Sequence, residues 1–140
     1  MIKRLSALLL LVLLAAGCSN AVNTTISDRY TASQPRFVAV APVVWTGGVE
    51  DKGVSETFRA MTAEKLKELG YGVASSGAVD AAFGKLGPAA ASKTPAELAS
   101  LSGTDAILFI KIREWDISRF VTYASLKVEA DYELYSATGA

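Results

Sequence analysis

The stretch DAILFIKIREW, residues 105–115, decides the fold that this sequence predicts. After Asp105 its first half is apolar at every position, so no polar residue marks a side that faces solvent. A run of this kind is typical of a strand that is buried on both faces of a sheet. RFVAVAPVV, residues 36–44, has the same continuous, β-rich character. The two stretches therefore predict two buried strands of one sheet.

Three helices and two further strands are predicted around these runs. The helices span residues 55–69, 78–86 and 94–103, and a short strand spans residues 71–75. TYASLKVEADYELYS, residues 122–136, alternates apolar and polar residues, which is typical of an antiparallel strand with one wet face. In this alternation the charged residues should face water, and the apolar residues should face the helices, among them Leu126, Val128 and Tyr132. Because crossovers are right-handed, the order βαβααββ places the first strand between the second and the third. We expect a small α/β domain whose mixed sheet has the order 2-1-3-4.

Local signals indicate the ends and the inner face of the helices. Ser55 is the predicted cap of the first helix and Gly70 its end, and Thr94 forms a capping box with Glu97 in the third helix. The segment GPAAASK before that box is expected to be a loop. The residues of the first helix that should face the sheet are Phe58, Met61, Leu66 and Leu69.

The amino terminus is predicted to be a signal peptide. Lys3 and Arg4 precede an apolar run of 12 residues, from Leu5 to Ala16. A helix needs about 20 residues to cross the hydrocarbon core, so this run is too short for a permanent span. A basic start, a short apolar run and small residues before a cleavage point are typical of a secretory signal. Residues 1–17 are therefore expected to be removed.

The segment Ala15-Ala16-Gly17-Cys18 resembles the lipobox of bacterial lipoproteins, in which the cysteine is acylated. Cys18 is the only cysteine of the chain. Two or three acyl chains there, at roughly 0.8 kcal/mol per buried methylene, would make a nearly permanent anchor. Ser19 follows, and by similarity to sorting in Gram-negative envelopes it favours the outer membrane. Residues 18–35 are predicted to be a flexible tether, and residues 36–140 a single α/β domain.

Composition and charge argue against several classes of protein. Without Lys3 and Arg4 the mature chain has 12 basic and 14 acidic residues, a net charge near −2. This balance offers no basic surface for nucleic acid. The chain has no histidine, the commonest general base and metal ligand, and an acylated Cys18 leaves no thiol for a disulfide. No catalytic residue, cofactor or metal site is predicted, and a hydrolase is the weakest function considered.

Four stretches of the chain carry a family resemblance: PRFVAVAPV, ELGYGV, LSGTDAILFIKIREW and YSATG. They resemble a family of bacterial outer-membrane lipoproteins of unknown function, whose members are known as candidate surface antigens; Gly103 to Leu108 is the most specific part. The family's fold is similar to the amino-terminal domain of TolB and to the periplasmic domain of the curli-secretion lipoprotein. The resemblance implies a role in envelope assembly and no enzymatic activity. The family's pattern continues past the Thr-Gly turn with a further strand and helix, so a truncated domain is one interpretation of residues 36–140.

The two tryptophans mark a candidate interaction surface. Trp45 follows the first predicted strand, and Trp115 with Asp116 ends the third, at the carboxyl edge of the sheet. Ligands of open α/β sheets bind at this edge, and tryptophan is a frequent anchor of interfaces. Trp45, Trp115 and Asp116 are therefore candidates for contact with a partner or a lipid. The alternative is that both rings pack over the end of the sheet.

The predicted last strand is a candidate for self-association. An uncovered edge strand has free backbone groups that invite pairing with another chain. We expect residues 122–134 to bind a second copy or a partner. Proline at Lys127 or Glu129 should abolish this pairing if the backbone donor there points outward.

The sequence thus predicts a lipid-anchored lipoprotein of the outer membrane, on the periplasmic face or the cell surface. It would act as a non-catalytic subunit or adaptor among other envelope lipoproteins. An auxiliary lipoprotein that binds a lipid or a transported ligand is the alternative.

Overall fold

The computed structural model describes residues 22–28, 33–116 and 127–138. The predicted signal peptide, the predicted lipid site Cys18 and residues 117–126 lie outside these ranges. The described elements, in chain order, are β1 (Phe37–Val40), β2 (Val44–Trp45), α1 (Lys52–Glu68), β3 (Gly72–Val73), α2 (Ser76–Leu86), a 3₁₀ helix (Gly87–Ser92), α3 (Pro95–Leu101), β4 (Ala106–Asp116) and β5 (Lys127–Ser136).

The strands form one mixed sheet in the spatial order β3-β1-β4-β5, and β2 continues the line of β1 along β4. The pairs among β1, β2, β3 and β4 are parallel, and β5 is antiparallel to β4. The predicted class and order are confirmed, with one difference: residues 36–44 form two strands. Pro42 has no N–H to donate to the ladder. The chain advances four residues from Val40 to Val44 while β4 advances three, so the register slips by one.

Helices cover the two faces of the sheet unequally. α1 packs on one face, over β1 and β3, while α2 and α3 pack on the other, over β1, β4 and β5. We call these the α1 face and the α2–α3 face. The buried core of the α1 face consists of Val38, Val40, Leu66, Ala106, Leu108 and Ile110. That of the α2–α3 face consists of Ala39, Ala41, Val79, Leu98, Ala99 and Ile107.

β4 is the central strand, as the sequence predicted. It lies between β1 and β5, and Ile107, Ile110 and Ile112 have no exposed surface. The side chains of β5 alternate between the two faces of the sheet. Leu134 packs against the core of the α1 face and Tyr135 against that of the α2–α3 face.

α1 begins earlier than the sequence signals indicated. It starts at Lys52 because Asp51, rather than Ser55, caps it: the Asp51 carboxylate accepts a hydrogen bond from the N–H of Val54 at 3.0 Å. A carboxylate at this position stabilises the helix because the first turn has unpaired N–H groups. The Ser55 hydroxyl instead bonds the carbonyl oxygen of Asp51 at 2.9 Å.

The start of the second helix was predicted two residues too late, whereas the cap of the third helix was predicted correctly. α2 begins at Ser76 rather than at residue 78, since Ser75 caps it. The capping box of Thr94 and Glu97 is confirmed by hydrogen bonds in both directions. The segment before it, predicted to be a loop, forms the 3₁₀ helix Gly87–Ser92.

Candidate functional site

Trp45 packs the end of β2 against α1. Its indole Nε1 donates a hydrogen bond to Ser55 Oγ at 2.8 Å. The side chain is half-buried. Ser55, which the sequence suggested as a helix cap, thus ties the tryptophan to the first turns of α1.

A β-bulge places Trp115 on the same face. β4 carries one extra residue, Arg113, relative to β5. Because side chains alternate along a strand, the extra residue moves Trp115 from the α2–α3 face to the α1 face. Its ring meets that of Phe58 edge-on, with centroids 5.9 Å apart and 80° between the planes. Gly47 passes so close to the bulge that a Cβ there would collide with the carbonyl oxygen of Arg113.

The structure brings the two tryptophans to one face and leaves Asp116 on the other. Asp116 is half-buried opposite Lys127 at the end of the β4–β5 ladder, and alternation puts its side chain on the α2–α3 face. Residues of α1 engage both indole rings. The geometry therefore favours packing over the end of the sheet, and an interaction surface of Trp45, Trp115 and Asp116 stays a prediction.

Arg59 fills the place where a ligand of an open α/β sheet would bind. That place is the carboxyl edge of the sheet beside β1 and β3, because the crossover after β1 passes over the α1 face and the crossover after β3 over the α2–α3 face. Arg59 Nε and Nη2 donate to the carbonyl oxygen of Val40 at 3.0 and 2.8 Å, and Nη1 donates to Asp80 Oδ1 at 2.7 Å. The side chain is only 13% exposed. One guanidinium thus joins α1, β1 and α2 and occupies this edge. Sequence reasoning missed it, because its position in the helical pattern resembles that of a solvent-facing arginine.

An open groove of about 710 Å³ lies beside α1 on the α1 face. Its main apolar lining residues are Met61, Leu66, Leu69 and Tyr132, and Glu64, Lys65 and Glu68 also line it. Met61 is 67% exposed, Leu69 65% and Tyr132 52%. The predictions that Met61 and Leu69 face the sheet and that helices cover Tyr132 are therefore wrong. The reason is that α1 lies mainly over β1 and β3, which leaves much of β5 open on that face.

Charged side chains cover the opposite face of β5. Lys111 Nζ contacts both carboxylate oxygens of Glu133, at 2.9 and 2.8 Å, and the Tyr135 hydroxyl donates to the same carboxylate at 3.0 Å. The hydrogen bond from Lys111 lowers the pKa of Glu133 and raises that of Lys111, and the bond to Glu133 raises the pKa of Tyr135. Arg113 and Asp131 form a further ion pair at 2.9 Å. The predicted division into one wet and one covered face is only partly right, because Glu133 is 34% exposed and α3 packs over the Tyr135 end of this same face.

No protein-family model matches the sequence, and none of the curated proteins matches it. Among solved structures, lipoprotein GNA1162 from Neisseria meningitidis is similar, with a TM-score of 0.57 and 25% identity over 74% of this chain and 70% of that chain. The hypothetical protein CT253 from Chlamydia trachomatis has a TM-score of 0.36 and 15% identity over 71% and 70%. The first comparison supports the fold and a likeness to bacterial lipoproteins, and it does not extend to TolB or the curli-secretion lipoprotein.

The residues that the structure describes contain neither a membrane-spanning helix nor a metal-binding cluster. No helix among them is long and apolar enough to cross a membrane. In the same ranges, no group of three or more His, Cys, Asp and Glu side chains could hold a metal ion. What these residues do present is a carboxyl edge occupied by Arg59 and an open apolar groove beside β5.

Proposed function

We propose that the chain is a lipid-anchored lipoprotein of the outer membrane and acts as a non-catalytic adaptor in an envelope assembly or secretion complex. One observation carries the adaptor role: the domain fills the usual ligand edge of its sheet with its own side chain and leaves an apolar groove open beside α1. Contiguous apolar surface on a folded protein marks a site of interaction. The groove suits an amphipathic helix of a partner, laid along α1 with its apolar side on Met61 and Tyr132.

The anchor is supported by the lipobox around Cys18 and by the likeness to a bacterial lipoprotein. Mass spectrometry of the mature protein should find Cys18 at the amino terminus, carrying two or three acyl chains. Separation of inner from outer membranes should place the protein in the outer fraction. We expect Cys18→Ser to be released from membranes. A Cys18→Ser protein that stays as firmly bound would show that the anchor lies elsewhere.

The adaptor role is tested by photocrosslinking in cells. A photoreactive residue at Met61 or Leu69 should capture one defined envelope lipoprotein, and the same residue at Ser100, exposed on α3, should not. Met61→Glu should prevent copurification of that lipoprotein in detergent, because a charge would enter the apolar floor. Ser100→Glu is the matched control. Equal capture of that lipoprotein by photoreactive residues at Met61 and Ser100 would contradict the proposed role of the groove.

Ligand binding in the groove is a second candidate. Its volume lies within the range of small-molecule sites, and its lining is mostly apolar. An acyl chain is the ligand that this chemistry suits. Native mass spectrometry of the purified protein would show a lipid adduct that Met61→Glu removes. A protein free of lipid after gentle extraction would exclude this candidate.

A further inference from the structure

We propose that the domain contacts the lipid surface through the edge of the sheet at which β1, β3 and β4 begin. We call this the amino edge. The three strands are parallel; Phe37 of β1 lies opposite Gly72 of β3, and Val38 lies opposite Ala106 of β4, so their starts lie side by side. The inference rests on the lipid anchor proposed for this chain, and its test distinguishes the contact from the anchor.

Large apolar side chains are exposed along the amino edge. Phe37 is the first residue of β1 and is 39% exposed. Leu69 directly follows α1, just before β3, and is 65% exposed. Leu101 is the last residue of α3, just before β4, and is 52% exposed. Apolar side chains on one edge can leave water by entering the boundary between head groups and acyl chains.

The chain that leads to Cys18 joins the domain at the same edge. The N–H groups of Arg36 and Phe37 donate to the Asp105 carboxylate at 3.2 and 3.0 Å, and Pro35 is buried. These contacts fix the entry point beside the start of β4. A further strand beside β5, as the family resemblance implies, would lie on the far side of β5 from β1 and β3. It would therefore not cover the start of β1.

The length of the predicted tether also favours the amino edge. Between Cys18 and the domain this segment, which lies largely outside the described residues, would span about 20–25 Å as a flexible coil. α1 runs from the opposite edge to the amino edge, and its 17 residues make it about 25 Å long. A tether of that span brings the amino edge to the bilayer before the opposite edge.

The distribution of charge supports the same orientation. At the amino edge, Lys65 and Lys67 pair with Glu68 and Glu64, and Arg36 is exposed. At the opposite edge, acidic residues outnumber basic ones among the described residues. The start of α1 and the end of the β4–β5 ladder carry Glu50, Asp51, Glu56, Glu114, Asp116 and Glu129 there, against Lys52, Arg113 and Lys127. Anionic head groups repel such an edge.

Exposed apolar side chains at the opposite edge provide the control. Val44 and Val49 are 45% and 89% exposed. Glu50 and Asp51 directly follow Val49, so contact of Val49 with lipid would bring two carboxylates to the head groups. Val49 is therefore apolar and more exposed than Leu101, and it lies at the edge that should face away from the membrane.

Quenchers carried by lipids test the contact in the acylated protein. Acylation consumes the thiol of Cys18, so a thiol-reactive fluorophore labels only an introduced cysteine. Labelled Leu101→Cys and Val49→Cys proteins are inserted into vesicles of phosphatidylethanolamine and phosphatidylglycerol that contain a nitroxide-bearing lipid. The fluorophore at position 101 should be quenched several-fold more strongly than the one at position 49. Equal quenching, or stronger quenching at position 49, would overturn the proposal.

Flotation of the same vesicles distinguishes the contact from the anchor. Protein that floats with the vesicles while its fluorophore at position 101 stays unquenched has the anchor and lacks the contact. Protein that does not float lacks the anchor, and the proposed contact fails with it. A blue shift at position 101 without quenching would mean that a protein, a second copy included, covers this edge in place of lipid.

A charge placed at the amino edge should weaken the contact. In acylated protein labelled at Arg36→Cys, the additional change Leu101→Glu should reduce quenching several-fold, because a carboxylate is costly to remove from water. Val49→Glu is the matched control and should leave the quenching unchanged. Circular dichroism verifies that both variants are folded. A folded Leu101→Glu protein that is quenched as strongly as the control would contradict the assignment of this edge to the lipid surface.

Discussion

Replacing Arg59 by alanine should destabilise the domain by about 2–4 kcal/mol. Two of its three hydrogen bonds go to the carbonyl oxygen of Val40, a residue only 3% exposed. β3 ends at Val73, opposite Val38, so the next outward carbonyl of β1 has no strand beside it. A buried carbonyl left without a donor costs about 1–3 kcal/mol. The third bond, to the half-exposed carboxylate of Asp80, adds at most about 1 kcal/mol because water screens it.

The measurement is the urea midpoint of unfolding, followed by circular dichroism. Arg113→Ala is the matched control, since Arg113 is 57% exposed and its pair with Asp131 should contribute at most about 1 kcal/mol. Asp80→Asn separates the two parts of the effect, because it removes the ion pair and leaves the bonds to Val40. We expect a large loss for Arg59→Ala and small losses for the other two variants. Equal midpoints for Arg59→Ala and Arg113→Ala would refute the idea that Arg59 is a structural part of this edge.

Three further predictions concern the core, the bulge and the wet face. Ile110→Asp should lose several kcal/mol, comparable with the total stability, since Ile110 has no exposed surface; a native circular dichroism spectrum would contradict this. Gly47→Ala should lower the melting temperature and shift tryptophan fluorescence, because a Cβ at Gly47 would collide with the carbonyl oxygen of Arg113 in the bulge that positions Trp115. Gly77→Ala is the contrasting variant: it has open space around it and should stabilise α2 slightly. Glu133→Gln should reduce the loss of unfolding free energy on acidification. Lys111 lowers the folded pKa of Glu133, so the ionised Glu133 stabilises the domain above about pH 4.5 and this stabilisation is lost as the pH falls below it. An unchanged profile between about pH 3 and 6 would argue against that coupling.

The order of the sheet could be predicted from two buried strands and the crossovers that connect them. The runs at residues 36–44 and 105–115 are apolar on both faces, which requires helices on both sides. The helices between them then need right-handed crossovers, and these leave one place for the first strand. The hydrophobic pattern did not predict the one-residue slip in register between β1 and β2, near Pro42. A proline inside an apolar run is compatible with an edge, a bulge or an interruption, and only the pairing with β4 distinguishes them.

The groove could not be predicted because it depends on how many strands of the sheet α1 covers. A helix about 10 Å across covers roughly two strands spaced about 4.8 Å apart. α1 lies over β1 and β3, so β5 is left uncovered on that face. The sequence shows that Met61 and Leu69 are apolar, but it does not show whether they face β1 or the open space beside β5. Tyr132 was assigned to the correct face, and the absence of a helix above it follows only from the three-dimensional arrangement.

The face on which Trp115 lies could not be predicted from the sequence either. Strict alternation along β4 would place it on the α2–α3 face. One extra residue at Arg113 reverses that assignment, and Gly47 permits the close approach that the bulge needs. A bulge has no reliable signature in one strand, because it is defined by the partner strand. The sequence therefore placed both tryptophans at the correct edge without indicating that α1 engages both.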